Sequence, residues 1–371
     1  MPAPLQRTTY AMPRAAEYFS RQKLQMMTGQ PPSQFGAVVL KELLDNAIDA
    51  TEHAEAMAAY AASGTTPLIQ IGWAPDGDEQ HVTLTVGDNG VGIPPATVTS
   101  VLDFATRTSD KAIYRSPTRG AQGNALKTVL GIPYALGIRE PVVIEARGVR
   151  HSITVNVDPA GAVHVHPEVA SVSHRPGTRV HVPLRHGEVD PLHWGRAFAL
   201  FNPHVAVKIC HSAHGELQCS LTESQCGDFY RATVAFPGGW RKYFPGDHTS
   251  AWWYTKQDLE RLIFAKINAS AQGQEPDLFL RDFVREFRGL TGTAKAKVVC
   301  AQVPGITRLS DFARHQDMVG VLYNVMRDTA TWPSAEVLGT IGAAHFEHWF
   351  HGPAHMTQDI YGKKFFPTPL N

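Results

Sequence analysis

Apolar residues recur at helical spacing through "VVLKELLDNAIDA", residues 38–50, where Val39, Leu40, Leu43, Leu44 and Ala47 fall on one side. "PPS" at 31–33 supplies a start, with Ser33 as the cap, and "ASGTTP" breaks the helix after about Ala62. The period then changes to two. "LIQIGW" predicts one strand and "HVTLTVGDNG" a second, with Val82, Leu84 and Val86 alternating before a turn. A polar, glycine-bearing stretch fills 105–125, and "ALKTVLGIPYALG" predicts a helix. "PVVIEARG", "HSITVNVD", "AVHVHPEV" and "GTRVHVPL" read as successive strands. Helices with one mixed or antiparallel sheet make an α+β sandwich.

The pattern turns helical again beyond residue 190, in "TKQDLERLIFAKINAS", "DLFLRDFVREFRGLTG" and "SAEVLGTIGAAHFEHWF". Residues 1–30 read as an extended arm with one short helix near "AAEYFSRQKLQ". The predicted organisation is an arm over 1–30, a core over 31–190, remaining strands over 191–245, and a smaller helical region over 246–371. No internal repeat is seen.

Composition narrows the class. With 371 residues there is room for two domains or one large one. Lys plus Arg and Asp plus Glu both number 34, so no global charge draws the chain to nucleic acid or a membrane, and only local patches could. Four cysteines are too few for a disulfide scaffold and favour a reducing, intracellular setting. No apolar run reaches the roughly 18 residues of a membrane span. The N-terminal stretch carries no signal-peptide core.

Four stretches carry candidate chemistry. On the first long helix, Glu42, Asn46 and Asp49 share a face at spacings of four and three. They are either a solvated acidic face or a site in which a carboxylate polarises water and an amide oxygen offers Mg²⁺ a hard ligand. In "VGDNGVGIPP" a strand delivers Asp88, and Gly90 and Gly92 turn the chain; this is either a hairpin turn or a close backbone approach to a ligand. "SPTRGAQGNALKTVLG" puts Gly120 and Gly123 before an apolar helix bearing Lys127, as a surface loop or an anion cradle. It is neither a Walker loop nor a Rossmann fingerprint. In "RPGTRVHVPL", Gly177 and Thr178 precede an alternating strand, which alone is an ordinary turn.

Taken in this order and spacing, the stretches resemble the GHKL ATPase superfamily, which includes gyrase-type topoisomerases, MutL, the ninety-kilodalton heat-shock chaperones, histidine kinases and MORC proteins. "ELLDNAIDA" resembles its N box, and "DNGVGI", "RGAQGNALK" and "GTRV" its three glycine boxes. The resemblance implies a Bergerat-type sandwich with ATP and Mg²⁺ as ligands. Glu42 would be the general base, Asn46 the Mg²⁺ ligand, and Asp49 part of the pocket. Asp88 would recognise the adenine amino group, with Gly90, Gly92 and Ile93 near the base. Gly120, Ala121, Gln122, Gly123, Asn124, Ala125, Leu126 and Lys127 would surround the phosphates, and residues 104–124 would be the lid. Thr178 would bond back towards Asp88 or the adenine through water. Ala125 stands where the family's box often has glycine, a departure that is either tolerated or loosens phosphate binding; "GNALK" is most similar to the MORC form of this box.

Further segments resemble the B subunit of topoisomerase VI. They are the strap and first helix over 17–54, "SPTRGAQGNA", "FALFNPHVAVKI", and the helix–two-turns–helix edges in "SAWWYTKQDLERLI" and "LFLRDFVREFRGLTGTAKAKVV". That implies an ATP-dependent homodimer in which the arm swaps between subunits, DNA as a substrate, and a separate DNA-cleaving subunit. The implied location is cytoplasmic or nucleoid-associated, with no membrane partner. The stretch after Cys300 is short for a full transducer domain, and Lys363 and Lys364 are its only candidate phosphate-sensing lysines. The rival readings are a MORC- or MutL-like DNA clamp and a non-hydrolysing nucleotide-binding module. Cys210, His211, His214, Cys219 and Cys226 cluster without paired zinc spacing and read as packing residues. Trp240, Trp252 and Trp253, near Arg241, Lys242 and His248, read as a domain interface rather than a nucleic-acid surface.

Overall fold

The computed structural model describes residues 14–75, 80–104, 114–115, 125–159, 161–211, 229–233 and 247–334, together with 341–342, 345–346 and 349. The chain enters through a 3-10 turn, Arg14–Phe19, and helix α1 (Arg21–Thr28). These lie on the chain's own core. Tyr18, Phe19 and Leu24 are buried, and the Phe19 and Phe104 rings sit 4.8 Å apart. Within the segment read as an extended arm, residues 14–28 are thus two helical pieces, because their aromatic residues have a core to cover.

The first long helix differs from expectation at both ends. Ser33 lies inside a short 3-10 turn, Pro32–Gln34, and caps nothing; α2 runs Phe35–Thr51 behind Gln34, which makes no side-chain cap. The helix then breaks at Glu52 and His53 before α3 (Ala54–Ser63). Glu52 is drawn into full burial beside His204, with Oε1 3.1 Å from Nε2. His53 turns extended and accepts the Glu55 amide at 3.3 Å through Nδ1. No glycine or proline marks this break, so periodicity alone reads straight through it.

Strands β1 (Leu68–Pro75) and β2 (His81–Asp88) follow, then α4 (Pro95–Val101) and α5 (Ala125–Leu136). β3 (Val142–Ala146), β4 (Val149–Val157), β5 (Val163–Ser171) and β6 (Thr178–Arg185) form the predicted run of strands. Helix α6 (Pro191–Phe201) was not anticipated, although Asp190 caps it through the His193 amide at 3.0 Å and Pro191 opens it. β7 (Ala206–His211) and β8 (Phe229–Tyr230) complete one eight-stranded sheet, ordered β5-β4-β3-β6-β2-β1-β7-β8. Its pairs are antiparallel except β1 with β7, which fits an α+β sandwich with a mixed sheet.

One face of this sheet is covered. Val82, Leu84 and Val86 of β2 and Val180, Val182 and Leu184 of β6 join a core with α2's Val39, Leu40, Leu43, Leu44, Ala47 and Ile48. Each large apolar side chain so buried contributes about 1.5–3 kcal/mol as an upper bound. That burial fixes which side of α2 faces the sheet, and with it where Glu42, Asn46 and Asp49 point.

A second core lies in the C-terminal region. It holds α7 (Lys256–Ala271), α8 (Leu280–Arg285), α9 (Thr293–Ala301) and α10 (Met318–Thr329), with Phe283, Phe287 and Phe312 fully buried. The helix expected over "DLFLRDFVREFRGLTG" is only α8. Past it, Phe287 bridges Thr249, the Arg288 amide donates to the Thr249 carbonyl at 2.6 Å, and Gly289 takes φ +79°. Most of "SAEVLGTIGAAHFEHWF" lies outside the described residues, but Phe346 and Trp349 pack on the first core. The Trp349 ring stacks on Tyr230 at 4.9 Å, and His345 Nε2 lies 2.8 Å from the Leu200 carbonyl. Among the described residues no helix is long and apolar enough to cross a membrane.

Candidate functional site

The polar side of α2 carries an organised charge row. Lys41 Nζ lies 3.1 Å from Glu42 Oε1 and 2.9 Å from Asp45 Oδ2. Burial works to lower the Lys41 ammonium, but hydrogen bonds to Asp45 and Glu42 outweigh it and the net shift is upward. Asn46 is exposed, and its side chain makes no hydrogen bond to any described residue. Asp49 lies one turn further on, on the same side.

β2 ends at Asp88, and the turn after it is pressed against the last turn of α2. A Cβ on Gly90 would stand 2.5 Å from the Ala50 carbonyl oxygen, so only glycine fits. The turn is tied down by Asn89. Its Oδ1 accepts from the Leu68 amide at 2.8 Å and from the Tyr60 hydroxyl at 2.9 Å, and its Nδ2 donates to the Thr66 carbonyl at 2.9 Å. The only local sign of Asn89's role is the turn signal "DNG", and Tyr60 carries none in the sequence.

Asp88 Oδ1 accepts from the Gly90 amide at 2.8 Å and from the Thr178 amide at 3.3 Å. Its Oδ2 accepts from no described residue. Asp88 keeps an exposed edge, yet desolvation by the surrounding protein pushes its carboxyl up to about 7, against the two amide bonds that pull it down. The Thr178 hydroxyl accepts the Ile93 amide at 3.0 Å, so the end of β2, the turn beyond it and the start of β6 form one unit. Gly177 makes the crossing: with φ +81°, an added Cβ would overlap the Asp88 carbonyl. Arg147, another residue not singled out from sequence, holds the turn from the far side. Its Nε donates to the carbonyls of Val91 at 3.2 Å and Gly92 at 3.0 Å.

Gly120, Ala121, Gln122, Gly123 and Asn124 lie outside the described residues. Ala125 and Leu126 open α5 and are half-buried. Lys127 is buried; Nζ donates to the Asp103 carbonyl at 2.5 Å and sits 5.8 Å from the centre of the Phe104 ring. Burial lowers its ammonium pKa, with the Asp103 charge working the other way. Lys127 thus ties α5 to the end of α4 in this structure.

Tyr114 and Arg115, inside the segment read as a lid, touch the C-terminal region. The Arg115 amide donates to the Tyr254 hydroxyl at 2.9 Å, and its guanidinium lies 2.6 Å from Asp258. Thr249 Oγ1 donates to the Arg115 carbonyl at 2.5 Å.

Among the described residues no three His, Cys, Asp or Glu side chains gather to hold a metal. Mg²⁺ is commonly bound through one or two protein oxygens plus substrate phosphates. The exposed Asn46 amide is a donor of that kind. Of the cysteine cluster, Cys210 is buried in β7 and disulfide-bonded, which takes its thiolate away from zinc; His214, Cys219 and Cys226 lie outside the described residues. Trp252 packs within the C-terminal region, donating to the Ala330 carbonyl at 3.2 Å under the Arg327 guanidinium. Trp240, Arg241 and Lys242 are outside the described residues.

Residues 37–186 match the family described as histidine kinase-, DNA gyrase B-, and HSP90-like ATPase. The matched stretch runs from α2 through β6 and contains Glu42, Asn46, Asp88 and Thr178, and it supports an ATP-binding ATPase domain there. No curated protein matches the chain.

Proposed function

We propose that this chain hydrolyses Mg²⁺-bound ATP at the mouth between α2 and the turn after β2. It would then act as an ATP-gated dimerising switch within a topoisomerase VI-like DNA-processing assembly whose cleaving subunit is a separate chain. The observation that carries the ATP reading is Asp88. It is a desolvated carboxylate at a strand end with one oxygen held by two amides and the other unused by described residues, within the stretch matched to ATPases. The unused oxygen suits the exocyclic amine of adenine.

Glu42 stands one helical turn before Asn46 on the same side of α2. Glu42 takes the proton from the attacking water, and Asn46 supplies an amide oxygen to Mg²⁺. The metal, when bound, neutralises charge on the phosphates. Lys41 couples the base to Asp45, so Glu42 leaves or shares that contact when it accepts a proton. The family match supports the ATPase reading alone; the topoisomerase-like assignment rests on the sequence resemblance of residues 17–54, "SPTRGAQGNA" and "FALFNPHVAVKI", with the helical segments after 246 adding to it.

Glu42→Ala is the deciding variant. It should bind a radiolabelled non-hydrolysable ATP analogue as wild type does, and its ATP turnover should fall at least about 100-fold. Undiminished turnover removes Glu42 as the base. Absence of nucleotide binding in the wild-type protein removes the whole reading. Stimulation of turnover by duplex DNA and an analogue-dependent doubling of mass by light scattering are expected of the switch; neither occurring would leave a plain ATPase.

A further inference from the structure

The covered face of the sheet accounts for Val82, Leu84 and Val86, and alternation sends Thr83, Thr85 and Gly87 to the other face. There a cavity of about 940 Å³ opens over β1, β2, β6 and β3 and the turn into β4. Four arginines line it: Arg147, Arg150, Arg175 and Arg179. Register places Arg179 opposite Glu145 and Glu145 opposite Arg150, giving a cross-strand row of alternating charge. Arg150 lies 3.5 Å from Glu145 and is thereby partnered. Arg147 is spent on the Val91 and Gly92 carbonyls.

Arg175 and Arg179 are different. Neither makes a hydrogen bond or ion pair with any described residue. Arg179 is half-buried, and desolvation followed by the like charge of Arg175 pulls its guanidinium pKa down, while Glu145 opposes that. Two guanidinium groups thus repel each other at the edge of a concavity. The lining carries four arginines against Glu140, Glu145 and Asp88, so the net charge is positive by one with Asp88 ionised and by two with it protonated, before His181 is counted. Burial lowers the His181 imidazole pKa, which keeps it from adding a third.

We infer that this reverse face is a binding site for a small phosphate-bearing molecule, with a phosphate group held between Arg175 and Arg179. The guanidinium fork matches phosphate oxygens in pairs, and a dianion relieves the repulsion between the two arginines. The volume lies within the roughly 300–1,000 Å³ of small-molecule sites, whereas a nucleic-acid duplex is ordinarily met by a longer basic stripe. The Thr85 hydroxyl, bonded to His181 Nδ1 at 2.9 Å on the same floor, adds neutral polar groups for the remainder of the ligand. The site shares Gly177 and Thr178 with the Asp88 unit but not its helix face, and it stands whether or not the opposite face hydrolyses ATP.

The test is calorimetric titration of inorganic pyrophosphate into the full chain, with and without a saturating ATP analogue. Saturable binding is expected in both, weakened at least tenfold in the Arg175→Ala/Arg179→Ala double variant at unchanged melting temperature. Should that variant fold poorly, Arg179→Lys, which keeps the charge and loses the fork, should weaken binding several-fold. No saturable pyrophosphate binding at millimolar concentration overturns the site, as does equal affinity in the arginine variants or displacement of pyrophosphate by the ATP analogue. A single-stranded oligonucleotide that binds through the same arginines while pyrophosphate does not would also overturn it, in favour of a nucleic-acid surface.

Discussion

The backbone amide of Thr178 donates to the Asp88 carboxylate at 3.3 Å, across a separation of 90 residues. With the Ile93 amide on the Thr178 hydroxyl, it closes a loop of three chain segments around one acid. The acid is held in place more firmly than it is solvated, and its protonation follows from that.

Asp88 gives a pH signature. Its folded pKa, near 7, lies above the ordinary carboxylate range, so the folded state binds the proton more tightly than the unfolded chain. The stability this contributes is complete below about pH 4 and is lost as pH rises towards 7. Asp88→Asn should therefore gain on wild type in urea melts between pH 5 and pH 8; parallel curves would contradict the desolvation argument. Under the ATP reading, the adenine amine needs the ionised acid, so nucleotide affinity should rise with pH up to about 7 and then level.

Gly90→Ala probes the seam between α2 and the β2 turn. The new methyl would meet the Ala50 carbonyl at 2.5 Å, and both partners are backbone. A cost of about 1–3 kcal/mol is expected, together with weakened nucleotide binding. Wild-type stability in differential scanning calorimetry would show that the seam can open freely.

The buried Glu52 and His204 pair should be costly to break. Both side chains are fully inaccessible, so Glu52→Ala removes the carboxylate partner of a buried imidazole and should cost about 2–5 kcal/mol. Glu52→Gln keeps a hydrogen-bonding atom there and should cost less. Equal effects in chemical denaturation would mean that volume, not bonding, sets the value.

Two contacts of Arg115 can be ranked. The ion pair with Asp258 leaves the guanidinium side chain 43% exposed, so Arg115→Ala should cost under about 1 kcal/mol. Tyr254→Phe removes the acceptor of the Arg115 amide and should cost about 1–2 kcal/mol. A reversed order in thermal denaturation would place the linkage in the charges.

Most strands of the sheet and the helix packed on it were legible in the sequence because their signals are local. The alternation of Val82, Leu84 and Val86 and the 3.6-residue stripe from Val39 to Ala47 each state which side is to be buried, and the structure buries those sides. Asp190-Pro191 before α6 was an equally local signal that went unread. The break after Thr51 was illegible, since it comes from Glu52 meeting a histidine 152 residues away.

What the sequence by itself determined was the set of amphipathic elements, the order of the glycine turns and the residue types at Glu42, Asn46, Asp88 and Thr178. Periodicity and side-chain chemistry belong to neighbours in the chain. The tertiary structure alone decided that Asp88 is desolvated, that Gly90 has no room for a methyl, that Lys127 is bound to Asp103, and that Arg175 and Arg179 share one hollow on the reverse face. Each of these depends on which distant segments displace water around a group, and solvent exclusion is a property of the packed assembly rather than of any stretch of residues.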